Sequence, residues 1–232
     1  MIFRGLEPVS LIDFPGHIAT VLFVGGCNFR CPFCHNAALV LEPETLPRYE
    51  EADVLRLLEQ RFGLVDGVVV SGGEPTLQAG LVAFLRQVRL LGLAIKLDTN
   101  GSRPNVLRAL LDEGLLDYVA MDVKAPPEKY ARLAGLPGMN LREVEQSIAL
   151  LRESEVTCEF RTTVVPGWLV EEDVSEIACW LQGAKQYVIQ QFRPQHTLDL
   201  SLEHVVPYPK QQFQAMADHA GQWVGQVKVR GN

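Results

Sequence analysis

The chain has 232 residues, a formal charge of −7 and five cysteines. That length accommodates one domain with a large core and does not demand a second, and a negative balance without any Lys/Arg block argues against a nucleic-acid surface. No apolar run approaches the roughly 20 residues of a bilayer-spanning helix, and the opening MIFRGLEPVSLIDFPGH lacks the long apolar segment of a secretory signal, so a soluble cytoplasmic protein is expected.

From residue 19 onward, apolar runs alternate with amphipathic stretches, the pattern of successive βα units feeding a parallel sheet. Strands are expected at 19–24, 68–71, 94–98, 118–123, 156–165 and 186–191, with a further apolar stretch near 224–229 that can close the edge. Helices are expected at 51–61, 80–91, 104–113, 141–153, 171–181 and 210–220. The fourth has the best-marked start, where Asn140 can cap the exposed amides and Glu143 can reach back. Six βα units are too few for a closed eight-stranded barrel, which leaves an open, curved partial barrel or a doubly wound sheet. There is no repeat at a fixed period and no low-complexity linker. A single domain over 1–232 is expected, with a lead-in over 1–18, a core over 19–193 and a C-terminal extension over 194–232.

Just after the first strand the chain reads GCNFRCPFCHN, which spaces Cys27, Cys31 and Cys34 as CxxxCxxC. Thiolates are the usual protein ligands of iron-sulfur clusters. Three on so short a tether can hold three corners of a four-iron cube and leave the fourth iron without a side chain. A structural zinc site would want four ligands, usually as two pairs. No second pair exists, and His35, adjacent to Cys34, is poorly placed to complete a tetrahedron. A disulfide is disfavoured by the same features that indicate a reducing compartment.

Each later polar motif falls at the C-terminal end of its strand, where ligands bind in parallel α/β folds. SGGEP (71–75) follows the second strand, DTNG (98–101) the third, DVK (122–124) the fourth, RTTVVPG (161–167) the fifth and QQFRP (190–194) the sixth. The glycines of SGGEP remove side chains where backbone must approach something closely, although alone the motif is also an ordinary strand-to-helix turn, as DTNG is an ordinary Asn-Gly turn. Period-two alternation puts Asp122 and Lys124 on one strand face, and Glu159, Arg161 and Thr163 on one face of the next strand. A carboxylate and an ammonium turned inward together need each other or a ligand. Cys158 and, by the same reading, Cys179 are expected to be buried apolar thiols.

With HN following the cysteines, the chain resembles the radical S-adenosylmethionine superfamily from about residue 10 to residue 193, and the later motifs narrow the resemblance to the glycyl-radical-enzyme activating branch. It is most similar to activating proteins of anaerobic ribonucleoside-triphosphate reductase, with pyruvate formate-lyase activating enzymes close by. The resemblance decides for the open partial (β/α)6 barrel. It implies one 4Fe-4S cluster on Cys27, Cys31 and Cys34, with S-adenosylmethionine bound through Asn36, Gly72, Gly73, Glu74, Asp98, Lys124, Arg161 and Thr163. Within that set Gly72, Gly73 and Glu74 receive the amino group and Arg161 the carboxylate. It also implies a monovalent cation on Asp98, Thr99 and Asp122, a glycyl radical enzyme as partner, and a low-potential electron donor such as flavodoxin or ferredoxin. No general acid or base is implied.

The lead-in SLIDFPG (10–16) departs from the family's usual VDGPG by placing Phe14 where a glycine is common, leaving the role of Asp13 open. Roles for Arg193 and His196 are likewise open. Phe29 and Phe33 can pack over cluster or adenine, or simply pack the loop. Two other readings stay in view: a radical enzyme acting on a small molecule, like 7-carboxy-7-deazaguanine synthase, and an iron-sulfur electron-transfer protein without catalysis.

Overall fold

A computed structural model describes residues 1–231. Among these, nine strands and eight α-helices are formed. The chain falls into two compact units. The first comprises Met1–Asn28, Ala38–Ala120 and Ser154–Thr157; the second comprises Phe29–Ala37, Met121–Glu153 and the chain from Cys158 onward.

In the first unit, β1 (Ile2–Ser10) runs antiparallel to β2 (Ala19–Val24) and to the two-residue β3 (Tyr49–Glu50). From β2 the pairing turns parallel. Ala19 to Val24 align with Gly67 to Gly72 of β4 (Gly67–Gly72), and Gly67 to Val70 with Ala94 to Leu97 of β5 (Ala94–Thr99). Val68, Val69 and Val70 are wholly buried, as expected of a parallel strand covered on both faces. Helices α2 (Glu51–Gln60), α3 (Leu81–Leu90) and α4 (Pro104–Asp112) supply the crossovers. Of these, α3 buries Leu81, Phe84, Leu85 and Val88, with Phe84 edge-on to Phe3 at 4.9 Å. Phe14 lies in a cluster with Ala19, Val21, Val69, Tyr118 and Ala120. A Cβ on Gly67 would come within 2.9 Å of its ring, so the bulk at position 14 is matched by the missing side chain at 67.

β6 (Tyr118–Asp122) leaves the first unit at Ala120 and ends in the second. There β7 (Thr157–Val164), β8 (Tyr187–Gln191) and β9 (Val227–Arg230) lie parallel, with Phe160 opposite Tyr187 and Tyr187 opposite Val227. α5 (Pro127–Leu133), α6 (Arg142–Glu153), α7 (Glu171–Trp180) and α8 (Lys210–Ala220) accompany them. Asn140 caps α6 as expected, its side-chain oxygen accepting from the Arg142 amide at 2.9 Å.

The six expected βα strands and six helices are all present within a residue or two at each end, the ordinary uncertainty of element termini, and β9 is the expected edge stretch. Four elements were not anticipated: β1, the two-residue β3, α1 (Ala37–Leu41) and α5. β1 lies in what sequence alone makes a lead-in, because its register is irregular between Phe3 and Gly5 and between Glu7 and Ser10, which breaks the alternation that marks a strand. Cys158 is buried, its thiol donating to the Leu151 carbonyl at 3.6 Å. Cys179 corrects the expectation, for it is exposed. The buried stripe of α7 runs through Val174, Ile177 and Ala178, and position 179, one further 100° step round the helix, falls outside it.

Candidate cluster and cofactor site

In the first unit the end of β2 passes into Gly25, Gly26 and Cys27, and SGGEP at the end of β4 lies directly against it. The Gly73 amide donates to the Val24 carbonyl at 2.9 Å and the Glu74 amide to the Gly26 carbonyl at 2.8 Å. A Cβ on Gly73 would sit 2.0 Å from the Gly26 oxygen, and Gly72 has φ +109°, so both positions require glycine. The start of the cysteine loop is thereby fixed to SGGEP by main chain.

Glu74 is 1 % exposed. Its Oε1 accepts from the Thr76 amide (3.1 Å), the Thr76 hydroxyl (2.5 Å) and the Thr99 hydroxyl (2.7 Å), and its Oε2 from the Asn100 amide (2.7 Å). Burial pushes its carboxyl up, against these hydrogen bonds, which pull it down. The carboxylate thus ties SGGEP to DTNG. Asp98, on β5, accepts from the Ser71 hydroxyl at 3.0 Å and pairs with the buried Lys96. Lys96 was not singled out in the sequence, although alternation along β5 puts it on the same face as Asp98. Asn100, read there as half of a turn, donates to Cys27 Sγ at 3.8 Å and to Asn28 Oδ1 at 2.9 Å.

In the second unit Cys31 is buried, and the Cys34 amide closes a turn onto the Cys31 carbonyl at 3.0 Å. The loop is anchored by the Arg30 amide on the Ala134 carbonyl (2.8 Å), the Leu198 amide on the Cys34 carbonyl (3.0 Å) and the Asp199 amide on the Pro32 carbonyl (2.8 Å). Phe29 and Phe33 are buried, Phe29 edge-on to Tyr130 of α5 at 6.5 Å. His35 stacks on Phe192 and its Nε2 lies 2.9 Å from the Arg193 carbonyl. Asn36 directly precedes α1.

Asp122 pairs with both Lys124 (3.1 Å) and Arg161 Nε (2.8 Å). Burial by itself would raise its carboxyl, but the charges of Arg161 and Lys124 hold it well below the usual carboxylate range. Lys124 is opposed by burial in turn, and the charge of Asp122 beside it keeps it well above the usual lysine range. Arg161 and Thr163 share the half-buried face of β7 that alternation assigns them. Glu159, on that face further back, is fully buried and bonded to Gln186 and Arg230. Arg193 and His196 are exposed, and His196, at φ 55°, bonds through its amide to Glu203.

The donor set fits an iron-sulfur cluster. All of Cys27, Cys31 and Cys34 are thiols outside any disulfide. Among the described residues no group of three His, Cys, Asp or Glu side chains is placed to hold a single metal ion. Among the same residues no helix is long and apolar enough to cross a membrane.

Comparison with known proteins agrees. The Radical SAM superfamily pattern matches residues 21–181. A Methanocaldococcus jannaschii protein named as a glycyl-radical enzyme activating enzyme is 34% identical over 231 residues, covering 97% of this chain and 94% of its own. A pyruvate formate-lyase-activating enzyme of Staphylococcus aureus is 26% identical over 181 residues, covering 73% of this chain and 70% of its own. Among solved structures, Streptococcus suis SuiB bound to its precursor peptide SuiA superposes with a TM-score of 0.71 at 13% identity over 91% of this chain. The radical SAM enzyme coproporphyrinogen III oxidase of Escherichia coli superposes with 0.59 at 15% over 91%. The chain spans 48% and 54% of the length of those two structures, whose likeness is one of fold. The α/β class with a mostly parallel sheet and the expected cofactors, a 4Fe-4S cluster and S-adenosylmethionine, follow from that family. The chain belongs to the radical SAM superfamily and, within it, to the glycyl-radical-enzyme activating branch.

Proposed function

We propose that this enzyme installs a glycyl radical on anaerobic ribonucleoside-triphosphate reductase, using one electron at a time from a flavodoxin or ferredoxin in the cytoplasm. The observation that carries the reading is a CxxxCxxC loop whose start, at Gly26 beside Cys27, is held by backbone contacts to SGGEP, in a chain whose likeness to a named activating enzyme runs nearly end to end. Cys27, Cys31 and Cys34 hold the cluster. In this reading Gly72, Gly73, Glu74, Asp98, Asn36, Lys124, Arg161 and Thr163 would bind S-adenosylmethionine, and Asp98, Thr99 and Asp122 would provide oxygens for a monovalent cation.

Held by these residues, the cluster and S-adenosylmethionine would supply one-electron radical chemistry, driven by the external electron donor, that can remove a hydrogen atom from a backbone glycine. The chain's own residues position and desolvate. Glycines 72 and 73 leave main-chain groups approachable at the end of β4. Glu74 acts by holding SGGEP and DTNG together. Arg161 and Lys124 both pair with Asp122, and the planar guanidinium fork of Arg161 is of the shape that suits a ligand carboxylate.

The test is anaerobic reconstitution followed by reductant, S-adenosylmethionine and the reductase of the same organism, with electron paramagnetic resonance as readout. A glycine-centred doublet on the reductase is expected. A reduced-cluster signal without that doublet sinks the assignment of this partner and turns the search to other glycyl radical enzymes or a small-molecule substrate.

A further inference from the structure

Asn100 is 5 % exposed and hydrogen-bonded at every polar atom of its side chain. Its Oδ1 accepts from the Ser102 amide at 2.9 Å. Its Nδ2 has two hydrogens, one directed to Asn28 Oδ1 at 2.9 Å and the other to Cys27 Sγ at 3.8 Å, a hydrogen-bonding distance for the larger sulfur atom. The orientation of this amide is settled by its partners. Reversing it would set an amide NH2 against the Ser102 N–H, and an oxygen against both the Asn28 oxygen and the cysteine sulfur. Asn28 is fixed in the same way, since its Nδ2 donates to the Ser102 hydroxyl at 2.9 Å. The Asn100 main chain is held by Glu74 at 2.7 Å. A buried, fully satisfied network of this kind keeps one geometry.

We propose that Asn100 is a positioning residue whose side-chain amide donates a hydrogen bond to the Cys27 thiolate and raises the reduction potential of the cluster that Cys27 helps to hold. When an external donor adds one electron, part of the new negative charge falls on the ligand sulfurs. An N–H aimed at one of them favours the reduced state over the oxidised one. Through Asn100 and Glu74 the same network links the cysteine loop to SGGEP and DTNG, so the residues that meet the cofactor also set how readily the cluster accepts its electron. This rests on the cluster reading of Cys27 and is independent of the identity of the partner enzyme.

The measurement is the midpoint potential of the reconstituted enzyme, followed by the electron paramagnetic resonance of the reduced cluster, in wild type, Asn100→Ala, Asn100→Asp and Asn28→Ala. N100A is expected to lower the equilibrium constant for reduction about tenfold, a shift of 59 mV to more negative potential for a one-electron couple. N100D, which sets an acceptor against the thiolate, is expected to shift it further the same way. N28A, which keeps the donor and loosens its aim, should shift it less. Variants that hold a cluster at the wild-type potential overturn the proposal. Should the substitutions prevent cluster uptake, wild-type enzyme labelled with 15N in its asparagine side chains decides, since a nitrogen coupling to the reduced cluster must be present and its absence overturns the role. A wild-type sample with no cluster signal would instead overturn the cluster assignment itself.

Discussion

Gly73→Ala probes the backbone contact on which the cysteine loop depends. The added Cβ would lie 2.0 Å from the Gly26 oxygen and 2.7 Å from its carbonyl carbon, against a practical limit of 3.0 Å. Both sides of the clash are main chain, so no rotamer relieves it and the two segments must part by about 1 Å, judged against ordinary carbon contact distances. That separation breaks the 2.8 Å bond from the Glu74 amide to Gly26. A buried amide left unpaired costs about 1–3 kcal/mol and overpacking adds about 1–3 kcal/mol, which together make about 2–6 kcal/mol. Because Gly26 adjoins Cys27, the damage should also reach iron uptake. The assay is denaturant unfolding of the apoprotein beside iron and sulfide content after anaerobic reconstitution. Gly92→Ala is the control: Gly92 has φ +76° and open space about its Cβ position. Its substitution should cost about 1–2 kcal/mol of backbone strain and leave cluster content unchanged. Wild-type iron content and unfolding midpoint in G73A, or equal loss of iron in G92A, would refute the reasoning.

Gly135→Ala should act on the other end of the loop, because Gly135 has φ +67° and a Cβ there would lie 2.1 Å from the Arg30 carbonyl oxygen; reconstituted iron content should fall, and an unchanged value would show that α5 does not brace the loop. Asp122→Asn should destabilise the protein near neutrality. The folded carboxyl is held below its unfolded value by Arg161 and Lys124 despite burial. Its contribution is therefore complete above about pH 4 and lost as pH falls through the depressed value. Urea unfolding should accordingly show a gap between wild type and D122N that is flat from about pH 6 to 8 and narrows on acidification, whereas a gap that widens in acid would contradict the pairing. Phe14→Ala removes a ring 2 % exposed and packed on Tyr118 at 6.0 Å and on His17 at 4.3 Å. It should cost about 3–5 kcal/mol while leaving the cluster's spectrum intact. A spectral change would mean that the lead-in reaches the site.

Local sequence by itself determined the parallel βα elements, because hydrophobic period, turn residues and a cap such as Asn140 act within a few residues of one another. It marked Cys27, Cys31 and Cys34 as candidate cluster ligands for the same reason, since CxxxCxxC places three thiols within one short loop. Alternation further put Asp122 beside Lys124 and Arg161 beside Thr163 on shared strand faces. Tertiary structure alone decided what those side chains touch. Glu74 turns to Thr76, Thr99 and Asn100, Asp98 to Ser71 and Lys96, and Asp122 to Arg161, 39 positions away. The same holds for Asn100, whose amide reaches a cysteine 73 positions earlier, and for β1, whose irregular register carries no period. Cys179 shows the limit most simply, for a thiol's burial depends on which side of a helix meets the sheet. Contacts between distant segments are set by how strands and helices pack, and no spacing within one segment encodes them.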